Sequence, residues 1–330
     1  MTQALSPWLS AGGHGTKLKV RREWRNLDLV IEFPGYRPLV IENKSLSMPD
    51  EAQLQRYDEK IADGALGSPT KVLLAPVDPG WPFGEHDTGA GEGPWSWLSF
   101  GRLADRLGQT TWGAEQSYAR QTIGELANLL ALLHQLLNSR AARPLPSDPL
   151  ELPAEDHELL KAARVHHLVT KARARHVGGL VRARLGEVGL APTVGIWTGM
   201  SNSLTLIDGL AATEGQTKAD VEAADRFQWQ IQGGQLRLAA VYPSLAGRSE
   251  NHIQARIAAA EQSIDWFDFS GAQAALGERC GEPTGKWLRF NPDFVYQNVQ
   301  IKHASVSDVV VLGEIYSRRL VEFTPPVAAR

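Results

Sequence analysis

The chain has a single cysteine, Cys280, among 330 residues, so no intramolecular disulfide framework can hold it together. That shortage fits a reducing compartment, and Cys280 itself reads as a buried, unreactive thiol. Long apolar runs are absent too. The most apolar helical stretch, 126–137, falls short of the roughly 20 residues that a bilayer span needs. The opening residues, MTQALSPWLSAGGHGTK, lack the basic start and apolar core of a signal peptide. A cytoplasmic protein without a membrane partner is the expectation. An excess of one charge is also missing: the formal net charge is −3. Any attraction to nucleic acid must therefore come from a local basic patch.

What is present is enough apolar residue, 43%, to bury a sizeable core and to support two domains. No internal repeat is apparent, and nothing in the composition excludes a homo-oligomer. Residues 1–20 are Gly-rich and expected to be irregular. From Leu27 the period becomes two: Leu27, Leu29, Ile31 and Phe33 should face one way, and Asp28, Val30 and Glu32 the other. Pro34-Gly35 supplies a turn, and 39–44 returns as the second strand of a hairpin. Ser47, Pro49, Asp50 and Glu51 suit a helix start, and Asp63-Gly64 ends that helix. TKVLLAP, 70–76, reads as a strand buried on both faces. Strand, strand, helix, strand predicts an α/β sheet with a right-handed crossover.

Residues 77–95 read as a loop, and 98–107 and 115–137 as helices closing a first domain, 1–142. The segment 143–154 contains RPLPSDPLELP, with four prolines in 143–153, and is the expected linker. A C-terminal α+β domain, 155–330, should begin with one long helix, 155–185. Strands should follow at 193–197, 203–208, 226–231, 235–242 and 287–302, with Gly233-Gly234 as a hairpin turn.

The chemistry concentrates between Leu27 and Tyr57. Glu42 and Lys44, two apart on a strand, share a face that Asn43 does not. Asp28 comes from the neighbouring strand, within cross-strand reach. Two converging carboxylates repel unless a cation lies between them, and oxygen ligands with open water positions suit Mg²⁺ or Mn²⁺. A metal held there polarises a phosphate oxygen and acidifies water. Lys44, its charge sustained by both acids, is better suited to stabilising charge at phosphorus than to acting as a base.

Asp28, then Glu42-Asn43-Lys44, then Gln53-Leu54-Gln55-Arg56-Tyr57 resembles the PD-(D/E)XK nuclease superfamily, in particular bacterial families with an ENK strand followed by a QLxRY helix. The resemblance covers about residues 20–140. It implies a restriction-endonuclease-like mixed sheet flanked by helices, and metal-dependent hydrolysis of DNA phosphodiesters, with defence against foreign DNA as a role. By position it implies Asp28 and Glu42 as metal ligands, a further ligand in the Asn43 carbonyl, and Lys44 as the catalytic lysine. Gln53 and Tyr57, one helical turn apart, would support the site or contact substrate, and Arg56 would reach a DNA phosphate. The chain departs from the pattern in having Leu27 where a proline is named, and no acid-bearing helix before the hairpin. Glu23 or Glu32 could stand in for that acid.

Farther along, Lys161, Arg164, Lys171, Arg175 and Arg182 would form one line on a continuous helix and could track a phosphate backbone. A solvated helix face explains them equally well. His166, His167 and His176 do not have metal-ligand spacing. Trp229, Trp287, Phe290 and Tyr296 alternate in strands and are expected in the core rather than stacked on bases. Two other readings stay open: a non-catalytic nucleic-acid-binding or regulatory module on a nuclease fold, and a metal-independent protein-interaction factor.

Overall fold

The computed structural model describes residues 18–33, 35–44, 51–64, 66–77, 95–110, 117–212 and 221–323. The expectations for residues 1–17, for the helix start at Ser47, Pro49 and Asp50, and for most of the 77–95 loop lie outside them. The chain is mixed α/β, with two sheets among the described residues, and divides between Ser139 and Arg140 into two compact units.

The first unit holds strands β1 (Lys19–Trp24), β2 (Leu27–Glu32), β3 (Leu39–Asn43), β4 (Thr70–Ala75) and β5 (Ser96–Ser99), and helices α1 (Glu51–Asp63), α2 (Phe100–Gly108) and α3 (Ser117–Asn138). The strands lie in sequence order; β1, β2 and β3 run antiparallel, while β3–β4 and β4–β5 are parallel. A parallel pair needs a crossover, which α1 supplies between β3 and β4. Leu54, Tyr57 and Ile61, spaced three and four apart, form the buried stripe of α1. They join Val30, Val40, Leu73, Ala75 and Trp95 in one cluster. The other face of the sheet packs Ile31, Leu39, Val72 and Leu98 together with Leu103 of α2, and Phe100 and Ala104 pack against Leu130 of α3.

Sequence periodicity misplaces three details here. Strand β1 starts inside the stretch 1–20 expected to be irregular and runs on through residues for which no element was expected, because its hydrogen-bond partner is β2. The helix expected from Leu98 begins at Phe100, since 96–99 pairs with β4; Ser99 then caps α2, its Oγ accepting from the Arg102 N–H at 3.2 Å. Leu27 packs with Val30, not with Leu29. It follows directly on the left-handed residues Arg25 and Asn26, where the chain is still turning.

The second unit contains α4 (Ala154–Ala162), α5 (His166–Glu187), β6 (Val194–Ser201), β7 (Leu204–Ala211), β8 (Arg226–Gln232), β9 (Gln235–Val241), α6 (Glu250–Glu261), α7 (Ser270–Leu276), β10 (Leu288–Phe290), β11 (Phe294–Gln300) and α8 (Val306–Phe323). Its six strands form an antiparallel sheet in the order β10-β11-β9-β8-β7-β6. Val177, Val181 and Leu185 of α5 and Val309, Leu312 and Leu320 of α8 share a core with Ile207, Trp229, Ile231 and Leu238 of the sheet. Trp229 is fully buried, its Nε1 donating to Ser317 at 3.1 Å. It fits because Gly209 stands opposite it: a Cβ there would lie 2.1 Å from the indole.

The proline-rich segment expected as a linker is built into this second unit. Leu150 is 1% exposed and donates its N–H to Ala304 O at 2.7 Å, and Pro149 bridges to Ser305. The buried Arg173 guanidinium donates to the carbonyls of Leu150 and Ala141 at 2.7 and 2.6 Å. A buried cation satisfied by backbone oxygens pins the segment in place. The single helix expected over 155–185 is two, broken where Arg164 takes a left-handed φ of 60°.

Candidate active site

The register of β2 and β3 pairs Leu29 with Ile41 and Val30 with Val40. Carried one residue on, it sets Asp28 opposite Glu42, on the face that holds Val30, Val40 and α1. The two acids therefore share a face, at the end of the sheet where β3 finishes and β2 begins. Asp28 is exposed and its Oδ2 accepts the Asn43 N–H at 2.7 Å. Lys44 N–H serves Leu74 O of β4 at 2.8 Å. Backbone groups alternate sides along a strand, so the Asn43 carbonyl points, like its N–H, toward β2 and Asp28.

Glu42 is 1% exposed. Its Oε1 accepts from Tyr57 Oη at 2.9 Å and pairs with Lys44 Nζ at 2.5 Å. Tyr57 Oη in turn accepts from Gln53 Nε2 at 2.8 Å. The i, i+4 spacing on α1 thus makes a relay from Gln53 through Tyr57 to Glu42. The Tyr57 ring also has two ammonium groups near it, Lys44 at 5.9 Å and Lys60 at 5.7 Å from its centroid. Lys60 was not anticipated, although its place three residues after Tyr57 on the helix is a usable signal. The next residue, Asp58, accepts from Lys71 Nζ and Trp95 Nε1, both at 3.0 Å, and fastens α1 to the sheet.

Burial opposes the charge on Lys44, but its hydrogen bond to Glu42 and the fields of Glu42, Tyr57 and Asp28 outweigh that, and its pKa is raised. Burial raises the Tyr57 pKa, and the Glu42 carboxylate adds to it. Both groups stay protonated at neutral pH. Lys44 is a fixed positive charge and Tyr57 a fixed donor.

One atom in this arrangement is incomplete. Glu42 Oε2 is buried and has no hydrogen-bond partner among the described residues. A buried carboxylate oxygen without a donor is costly, and a cation is one partner that would satisfy it. The donors available at this end of the sheet, the Asp28 and Glu42 carboxylates and the Asn43 carbonyl, are all hard oxygens. They suit Mg²⁺ or Mn²⁺ retaining several waters rather than a closed protein cage. Among the described residues no group of three or more His, Cys, Asp or Glu side chains forms such a cage.

The other expected residues disperse. Arg56 is exposed, with no carboxylate against it among the described residues. Glu32 pairs with Arg21 at 2.7 Å and Lys19 at 3.8 Å; four residues along β2, it lies about 13 Å from Asp28. Glu23 is exposed, with a left-handed φ of 52°. The basic line does not exist as one helix face: Lys161 is on α4, Arg164 at the break, and Lys171, Arg175 and Arg182 on α5, with Arg182 Nη1 donating to Ile196 O at 3.4 Å. Gly178-Gly179 do not interrupt α5; a Cβ on Gly178 would meet the Thr198 methyl at 2.2 Å, so the glycine allows close packing on β6. His166 and His167 stack at 3.8 Å with His157 at 5.5 Å from His166, while His176 Nε2 meets Pro144 O at 3.2 Å. Trp229 is core, whereas Phe290 is 57% exposed. Trp287 packs edge-on to Phe267 at 4.6 Å and Tyr296 lies under Arg237 at 5.1 Å. Cys280 is buried, and burial raises its pKa. Among the described residues, no helix is long and apolar enough to cross a membrane.

Compared with protein-family models, curated proteins and solved structures, the chain matches none.

Proposed function

We propose that the first unit is a metal-dependent nuclease that hydrolyses DNA phosphodiesters on a restriction-endonuclease-like core, as the PD-(D/E)XK resemblance implies. The observation that carries this reading is the buried Glu42 carboxylate, one oxygen held by Tyr57 and Lys44 and the other without a donor, opposite Asp28 by strand register. Asp28, Glu42 and the Asn43 carbonyl would hold Mg²⁺ or Mn²⁺, and the bound ion supplies Lewis acidity and charge neutralisation at phosphate.

The chain's own groups do the rest. Lys44, kept charged by Glu42, stabilises the negative charge that grows on the phosphoryl oxygens. Tyr57 and Gln53 lock the Glu42 rotamer, so the acid need not reorganise when substrate arrives. Arg56, exposed on the same helix, is free to meet a neighbouring phosphate.

The test is cleavage of plasmid and oligonucleotide DNA by the purified chain with Mg²⁺, Mn²⁺ or EDTA, set beside Glu42→Ala and Lys44→Ala. Cleavage by the wild type with either ion, lost in both variants and in EDTA, is expected. Equal cutting by all three proteins overturns the reading. DNA retained without metal-dependent turnover would transfer the fold to a binding module.

A further inference from the structure

The β1–β2 hairpin carries a concentration of positive charge that the catalytic reading does not use. In a chain of net charge −3, residues 19–25 hold Lys19, Arg21, Arg22 and Arg25 against one acid, Glu23. Arg21 and Lys19 are engaged by Glu32. Arg22 and Arg25 are exposed and meet no carboxylate among the described residues. Strand β1 is the edge of its sheet, and edge positions favour charged residues simply to discourage strand addition. Two further observations go beyond that.

First, the turn is built at a cost. Trp24 pairs with Leu27, and the two residues between them, Arg25 and Asn26, have φ of 52° and 69°. A tight turn with both residues left-handed prefers Asn and Gly. An arginine there costs about 1 kcal/mol in backbone strain, and strain that persists is commonly found at functional sites.

Second, the turn is bolted down. The Trp24 indole lies so close to Gly64, at the end of α1, that a Cβ on that glycine would come within 2.1 Å of it. The guanidinium groups of Arg21 and Arg25 sit 5.5 and 5.4 Å from the same ring's centroid. The strained turn therefore presents Arg25 from a fixed platform, at the end of the sheet where Asp28 begins β2, while Arg22, paired with Leu29, stands on the other face of the edge strand.

We propose that this hairpin is a phosphate-gripping arm, in which Arg22 and Arg25 bracket the edge of the sheet and hold the backbone of the DNA presented to Glu42 and Lys44. The proposal rests on the nuclease reading for its substrate and on the hairpin alone for its geometry. Guanidinium groups suit phosphate because they are always charged and offer forked donors. Phosphate contacts of this kind position the duplex without reading its sequence.

The test is fluorescence anisotropy of a labelled DNA duplex in EDTA, titrated with wild type, the double variant Arg22→Gln/Arg25→Gln, the double variant Arg22→Lys/Arg25→Lys, and Arg120→Gln as a control on α3. Losing two phosphate contacts should flatten the dependence of log K on log salt by about 1.8, so that the wild-type advantage shrinks about twelvefold over a fourfold rise in salt. The lysine variant should keep the wild-type slope, and Arg120→Gln should not change it. Wild-type slope and affinity in the glutamine variant overturn the arm, as does a wild type that binds no duplex. A wild type with the expected slope that never cleaves with Mg²⁺ or Mn²⁺ overturns the nuclease reading and leaves the arm standing.

Discussion

Two buried acids, one in each unit, make an instructive pair. Asp308, in the first turn of α8, is 7% exposed, and Glu42, at the end of β3, is 1% exposed. Asp308 is saturated. Arg279 donates to both its oxygens, at 2.5 and 2.9 Å, and the Ser305 N–H donates to it at 2.9 Å. Ser305 Oγ accepts the Asp308 N–H at 3.2 Å, which completes a reciprocal helix cap. Glu42 has donors on one oxygen only. The first arrangement spends a carboxylate on holding a helix end; the second leaves one oxygen for something not supplied by the described residues. Both acids are buried; what differs is how completely their oxygens are hydrogen-bonded.

The largest expected effect breaks the comparison at Glu42. Glu42→Ala should lower the rate of Mg²⁺-dependent DNA cleavage by about a thousandfold, about 4 kcal/mol of barrier, measured as initial rates on plasmid. Asp308→Ala should instead leave cleavage by the first unit unchanged and cost stability. Because Arg279 is 44% exposed, solvent screens much of that pair, and about 2 kcal/mol is expected in urea denaturation.

A smaller effect sharpens the metal side. Mg²⁺ at ten times its dissociation constant should add about 1.4 kcal/mol to the stability of the unit that binds it. Calorimetry should show its transition rising in the wild type and in Asp308→Ala, and staying fixed in Glu42→Ala. If Glu42→Ala responds like the wild type, the ion binds elsewhere.

The least effect is expected in pH dependence, where the two sites should respond at opposite ends of the scale. Burial would raise the Asp308 pKa, but Arg279 and the Ser305 groups hold it below the ordinary 3.8. A depressed acid contributes stability above that ordinary value and loses it as pH falls through the folded pKa. Lys44 is held above its ordinary 10.5, so its contribution is complete below that value and fades as pH rises through the higher folded pKa. In metal-free denaturation, Asp308→Asn should flatten the acid limb of the stability profile and Lys44→Met the alkaline limb. A profile indifferent to either substitution would remove that group from the account.

Much of the candidate site was legible in the residues. The two-residue period of LVIENK placed Glu42 and Lys44 on one face, and their 2.5 Å contact follows from it. The i, i+4 spacing of Gln53 and Tyr57 put both over that face, where they form the relay to Glu42. Strand β1 was less legible. KVRREW is charged, with four of its six residues exposed, so it lacks the apolar alternation that marks a strand, and it is extended because β2 offers it a ladder. Residues 98 and 99 read as helix, and 96 and 97 as no element, for a related reason: SWLS is short, and its pairing with β4 comes from distant sequence. The basic line failed because a local period assumes an unbroken helix, and Arg164 breaks it.

Local periodicity, then, was sufficient to establish the hairpin, the α1 helix and the sharing of a face by Glu42 and Lys44, since these depend on geometry repeated every two or four residues. Only tertiary structure decided that residues 140–153 belong to the second unit, that a basic strand borders the first sheet, and that Glu42 keeps one oxygen without a donor. Those outcomes depend on which groups from remote parts of the chain arrive beside a given atom, and hydrogen-bond completion is a property of that meeting rather than of any local run of residues.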